Sequence, residues 1–183
     1  AVFTKPLLLL FLFLMVYSAK AFQTKTLLLV ALSFSWLGEV LLIFTEYDQN
    51  FFILGLISFL ISHVLYILLF NKQVASKPMD KGLMALGVFF VAGYLTIFLT
   101  TILPYLGALK IPVIVYGLVI SLMLIAAIRG ALVWQQNANA LLLFGATAFV
   151  ASDSILAFNK FYEPFAFAGF LIMATYLAAQ YCI

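Results

Sequence analysis

The chain has 183 residues, 67% hydrophobic and 8% charged, with a mean hydropathy of +1.25 and a formal net charge of +3. Soluble domains carry roughly 45–50% apolar and about 25% charged residues, so no water-soluble globule could cover this much apolar side chain. The charge is too small and too scattered for a nucleic-acid partner, and Cys182, the single cysteine, rules out an internal disulfide and argues against a thiolate-built metal site.

The apolar runs are continuous rather than alternating, which excludes barrel strands. They approach the roughly 20 residues with which a helix crosses a bilayer while bonding its own backbone. The first run, 6–19, is short and follows Lys5, with Pro6 suited to the first turn of a helix. It is too rich in Phe, and too poor in small residues at its end, for a cleavable signal peptide. Ala1 rather than Met opens the chain, which leaves room for sequence ahead of it. Lys20 to Lys25 separates the second run, 26–44. Glu46 to Asn50 leads to the third, 51–70, and the stretch from Asn71 to Lys81, with Pro78, precedes 83–104. A turn from Pro104 to Pro112 with Gly107 and Lys110 leads to 111–128. A polar segment from Arg129 to Asn139, with Trp134 as an interfacial anchor, leads to 138–158. Asn159 to Pro164 then opens the last run, 164–182. The expected fold is all-α: a polytopic transmembrane bundle of about seven helices forming a single domain over residues 1–183.

Alternate loops share a side of the membrane. One side collects Lys20, Lys25, Lys72, Lys77, Lys81 and Arg129 against Asp80; the other collects Lys5, Lys110 and Lys160 with Glu46, Asp48 and Glu163. The positive-inside rule makes the first side, and with it the C-terminus, cytoplasmic. A weak internal echo also emerges. Gly38-Glu39-Val40-Leu41-Leu42-Ile43-Phe44 parallels Ser152-Asp153-Ser154-Ile155-Leu156-Ala157-Phe158, and Gly55 and Gly169 follow their acids at one offset. Parallel repeats of this kind build some membrane folds; coincidence between two apolar helices is the rival explanation.

A carboxyl group inside a span costs roughly 2.5–3.5 kcal/mol on insertion scales, so it marks function unless it pairs or reaches an interface. Glu39 and Asp153 each stand five residues before the expected end of their helix, about 7–8 Å from the same, non-cytoplasmic side. Two acids at one depth could face one cavity. Neighbouring carboxyl groups in a shielded pocket resist double ionisation, which leaves one as an acid and the other as a base. Pairing with Lys5 or Lys160 is the structural alternative. His63, the only histidine, shares a helix face with Phe59 and Tyr66, and reads either as a hydrogen-bonded packing element or as a cavity-lining proton relay. Lys5, Asn159 and Lys160 read as interfacial anchors or as contacts to a lipid headgroup. Tyr176 and Gln180, one turn apart, read as cavity or packing residues. One histidine and two acids lack metal-site spacing, so no metal and no cofactor is expected. No serine-hydrolase elbow, phosphate-binding loop or Arg-rich helix is present.

These residues resemble the lysoplasmalogenase (YhhN-like) family. The resemblance runs through Lys5-Pro6, Phe34 to Glu39, Gly55 to Tyr66, Ser152 to Ala157 with Asn159-Lys160-Phe161, and Tyr176 to Gln180, and covers nearly the whole chain. It implies a polytopic enzyme, usually of eight helices, that hydrolyses the vinyl ether bond of lysoplasmalogens to a fatty aldehyde and a glycerophospho-base. An eighth helix would then precede Ala1. It also implies that the two intramembrane acids are catalytic. On the chemistry of vinyl ether hydrolysis Asp153 is then expected as proton donor and Glu39 as the group that stabilises the cation and orients water; the reverse assignment uses the same groups. Lys5 would hold the phosphate, and the partners would be a lysophospholipid and membrane lipid. The family favours Gly-Asp where this chain has Gly38-Glu39, a one-methylene displacement in chemistry sensitive at about 1 Å. A proton-coupled transporter would use the same acids and the same echo, and a receptor-like bundle would use the acids only to join helices.

Overall fold

Seven α-helices arise from the seven apolar runs in the computed structural model, which describes residues 4–73, 77–134 and 136–183, with backbone alone considered at 4, 5 and 136–138. They are α1 Thr4–Ser18, α2 Lys25–Ile43, α3 Gln49–Lys72, α4 Lys81–Ile102, α5 Lys110–Val133, α6 Gln136–Ala157 and α7 Ala168–Cys182. Among the described residues every regular element is helical. The five helices α2 to α6 are long and apolar enough to cross a membrane. The other two, α1 and α7, have 15 residues each, and a span that short is accommodated by local thinning of the bilayer or by flanking side chains.

Two boundaries depart from the sequence expectation. The fifth run does not stop at 128: α5 continues through Val133, so Arg129 lies half-buried inside a helix instead of opening a loop. A long side chain whose charge can reach the interface need not end a membrane helix. The last helix begins at Ala168, not 164, because Phe167 adopts a left-handed backbone conformation (φ 66) directly ahead of it.

The described helices group into two compact units, α1–α3 and α4–α7. In the first, α2 and α3 form an antiparallel pair. Ser62 donates to the Ala31 carbonyl at 2.9 Å, which leaves the Ser35 hydroxyl to donate to Ser62 at 2.7 Å. Further along, Gly38 meets Phe59 and Gly55 meets Leu42. Position numbers rise on α2 as they fall on α3, as antiparallel packing requires. A Cβ at Gly38 would stand 2.7 Å from the Phe59 ring, so this close approach of helices depends on glycine. The end of α1 is capped by Lys25, whose Nζ donates to the carbonyls of Tyr17 at 2.8 Å and Ala19 at 2.5 Å.

In the second unit α6 contacts each of the other three helices. Asn139 on α6 donates to Ala131 on α5 at 3.0 Å, and the Phe149 ring meets Tyr176 of α7 edge-on at 5.4 Å. Helix α4 runs parallel to α6: Tyr94 pairs with Ser154, and one turn on Phe98 packs edge-on against Phe158 at 5.7 Å. Asp80 caps the start of α4, its carboxylate accepting from the Gly82 and Leu83 N–H groups at 2.9 and 3.0 Å.

Candidate functional site

The two acids belong to different units, and each has its own surroundings. Glu39 is buried on α2, next to Gly38 and one turn beyond Ser35. Its helix passes into a tight 3-10 turn, Phe44–Glu46. His63 on α3 is fully buried beside Ser62. Its Nδ1 lies 2.5 Å from the Phe59 carbonyl, one turn earlier. A carbonyl only accepts, so Nδ1 carries the hydrogen, and in the neutral ring Nε2 is then the acceptor. The same Phe59 supplies the ring that packs over Gly38, so Glu39 and His63 both adjoin one helix crossing. Tyr66, one turn after His63, is fully buried and stacks on Phe70 with centroids 6.1 Å apart. The expected Phe59–His63–Tyr66 face is thus inside the protein.

Asp153 on α6 is half-buried and flanked by two serines. Successive residues of an α-helix point about 100° apart, so a tripeptide addresses three directions. Ser152 donates to the Ile172 carbonyl of α7 at 3.1 Å. Tyr116 of α5 donates to Asp153 Oδ2 at 2.5 Å. Ser154 donates to the Val150 carbonyl at 2.5 Å and therefore accepts from the Tyr94 hydroxyl of α4. Three adjacent residues thus join α6 to the other three helices of its unit, with the acid in the middle. Beyond them the helix widens into a π turn, Phe158–Tyr162, a rare form that recurs at functional sites.

Helices α2 and α6 end at Ile43 and Ala157, each four residues past its acid and within one residue of the expected offset. Helical form then continues as the 3-10 turn to Glu46 and the π turn to Tyr162. Tyr176 and Gln180 are buried on α7, one and two turns past Ile172. Asn159 lies in the π turn, where its side-chain oxygen accepts from the Phe165 N–H at 3.2 Å and ties down the approach to α7; Lys160 beside it is exposed. Lys5 falls in the first turn of α1, and its side chain lies outside the described residues. Sequence reasoning missed Tyr94, Tyr116 and the two serines. The available signal was position: Tyr94 stands mid-span on α4, away from the interfaces where membrane tyrosines usually lie.

The YhhN family model matches residues 1–183, the whole chain. This protein belongs to the YhhN family. Among curated relatives, lysoplasmalogenase TMEM86A of Bos taurus is 32% identical over 187 residues, covering 97% of this chain and 73% of that protein. The Homo sapiens TMEM86A is 31% identical, covering 96% and 72%. Lysoplasmalogenase TMEM86B of Homo sapiens is 32% identical over 134 residues, 72% of this chain, and the chain spans only 52% of its length. No solved structure matches this YhhN chain.

Proposed function

We propose that this YhhN protein is a multi-pass membrane hydrolase that cleaves the vinyl ether bond of lysoplasmalogens, with Glu39 and Asp153 as its acid–base pair. The observation that carries the reading is the hydrogen bond from Tyr116 to Asp153: an ionisable group inside an apolar span is held in one orientation by a dedicated donor. The activity named for the TMEM86 relatives supports the same chemistry.

A vinyl ether is protonated at the alkene carbon remote from oxygen, which leaves an oxocarbenium ion. Water adds to that ion and loses a proton to the base, giving a hemiacetal. Breaking its C–O bond, with a proton passed to the departing glycerol oxygen, releases fatty aldehyde and glycerophospho-base. One carboxylic acid and one carboxylate suffice, as in glycoside hydrolysis, where an oxocarbenium-like species forms between two such groups. Asp153 is assigned as the donor and Glu39 as the group that faces the cation and orients water. His63 and Tyr66 are assigned to the surroundings of Glu39, as cavity lining or proton relay, Tyr176, Gln180 and Asn159 are assigned as substrate contacts in the unit that carries Asp153, and Lys5 is assigned to the phosphate. The C-terminus is assigned to the cytoplasm, a reading supported by the excess of Lys and Arg in the loops on that side.

The test is aldehyde release from a lyso-vinyl-ether lipid by the purified chain, beside its Glu39→Gln and Asp153→Asn variants. Turnover in the parent and its loss in folded variants is the expected result. Normal rates in both variants would remove the mechanism, and proton-driven uptake into liposomes without aldehyde would assign the acids to transport. A reporter fused after Ile183 reads the orientation directly.

A further inference from the structure

The apolar stretches that carry α4 and α6, Lys81–Tyr105 and Asn139–Tyr162, each end on a tyrosine, and the two rings meet. Their centroids lie 5.1 Å apart and their planes stand at 86°. The local sequence presents both. Ile102, Leu106 and Leu109 are buried on either side of Tyr105, and Pro104 stiffens the 3-10 turn Leu103–Tyr105, so the chain is pinned while this tyrosine stays 53% exposed. Tyr162 closes the π turn, where the Glu163 N–H donates to the Phe158 carbonyl at 3.0 Å. It is 47% exposed.

The pair is also held from behind. Tyr162 packs edge-on against Phe158 at 6.0 Å, Phe158 edge-on against Phe98 at 5.7 Å, and Phe98 stacks on Tyr94 at 6.0 Å. Five rings therefore run unbroken from the Tyr94–Ser154 hydrogen bond to Tyr105. A tyrosine at the end of a span is ordinarily an interfacial anchor, which needs no fixed ring beside it. Here the rings are set before any ligand arrives, and such preorganisation lowers the cost of binding.

Exposure and charge identify the class of ligand. In an edge-on pair each ring covers at most one face of the other, so ring surface stays open to the headgroup layer. The face of an aromatic ring is negative and attracts cations. The formal charges at this end have both signs. Glu163 follows Tyr162 directly, and Lys160 precedes it by two residues, a spacing that turns it to another side of the helix. Lys110 opens α5 five residues after Tyr105. Since Tyr116 meets Asp153 on the antiparallel α6, Lys110 returns to about the level of Asn159. Glu163, Lys160 and Lys110 are all exposed. Rings and an acid for a cation, with lysines at the same end for an anion, suit a zwitterion better than either ion alone.

We propose that the Tyr105–Tyr162 corner binds the quaternary ammonium of a phosphocholine headgroup. A quaternary ammonium has no N–H to satisfy and is the cation that aromatic surfaces favour. The primary ammonium of phosphoethanolamine is compact and strongly hydrated, so it keeps its water and gains less from a ring. Two lipids carry the choline headgroup: the phosphatidylcholine of the bilayer and a choline lysolipid. The second source rests on the hydrolase reading, and the first does not.

The experiment uses the full chain, labelled with fluorotyrosine, in nanodiscs of phosphatidylethanolamine and phosphatidylglycerol. The fluorine NMR signals of Tyr105 and Tyr162 are assigned by their loss in Tyr105→Phe and Tyr162→Phe. Both are expected to shift as phosphatidylcholine replaces phosphatidylethanolamine. Tyr105→Leu, at a half-exposed position where the fold tolerates the change, should raise the phosphatidylcholine fraction at half-response of Tyr162 about twofold to fivefold. Tyr105→Trp should restore it, which a role in packing alone would not do. Signals that ignore the bilayer but shift with a saturated alkyl ether lysophosphocholine, and not with its ethanolamine counterpart, would make the lysolipid the ligand and keep the site. Equal shifts with both headgroups, or none with any lipid, would overturn it. Aldehyde release from the vinyl ether lipid is read on the same discs. Its absence sinks the hydrolase reading and leaves the phosphatidylcholine result standing; its presence with unmoved tyrosine signals does the reverse.

Discussion

The α2–α3 pair around Glu39 and the α6–α7 pair around Asp153 carry the two copies of the sequence echo. Each places an acid directly after a small residue that ties its helix to the next. In the first pair the tie is close packing: Gly38 lies against Phe59, and Ser35 and Ser62 bond across the same seam. In the second, Ser152 reaches a carbonyl of α7, while Asp153 and Ser154 bond outward to α5 and α4. The offset glycines diverge as well. Gly55 is pressed against Leu42, whereas a side chain at Gly169 would meet nothing within 4 Å. The echo preserves an acid at the head of an antiparallel pair, and the means of holding that pair together differs.

The largest expected effect tests whether the two acids remain equivalent in function. Asp153→Asn should lower aldehyde release by about 10²–10⁴, the usual worth of general acid–base catalysis, while circular dichroism stays unchanged. Glu39→Gln should lose a similar factor. If Glu39→Gln keeps parental rates, the first copy is structural and the comparison breaks. Next comes Tyr116→Phe, which removes a donor found only in the second half. About a tenfold fall in kcat is expected, because the carboxyl group loses the donor that orients it, with the thermal midpoint held. Smaller still is the contrast in packing. Gly38→Ala should cost about 1–3 kcal/mol in detergent unfolding, because the buried Phe59 ring must move, and Gly169→Ala should fall within about 0.5 kcal/mol of neutral. Smallest is the serine comparison. Ser62→Ala breaks two bonds between helices and Ser152→Ala one, each worth about 0.6 kcal/mol in membrane bundles, so Ser62→Ala should lower the unfolding midpoint more.

The helices were legible because lipid forbids unpaired backbone, which turns each long apolar run into a helix with few alternatives. Their ends were less so. Arg129 looked like the start of a loop, yet its reach let α5 run on to Val133. The left-handed Phe167 follows no residue-level rule, since glycine or asparagine is the usual occupant of that conformation. Glu39, Asp153 and His63 were legible from the cost of placing such groups in hydrocarbon. Tyr94 and Tyr116 were not, because tyrosine suits apolar surroundings and only the register of three helices brings these two hydroxyls to the Ser152–Ser154 segment.

Asp153 stands between two serines that tie α6 to α7 and α4, and an asparagine in its place keeps a side-chain oxygen for the Tyr116 hydroxyl of α5. An aspartate-to-asparagine protein should therefore retain the architecture that cradles a lipid while lacking the proton that destroys it. Such a molecule would be a trap for its own substrate, and mass spectrometry of whatever copurifies with it would read out the physiological lipid.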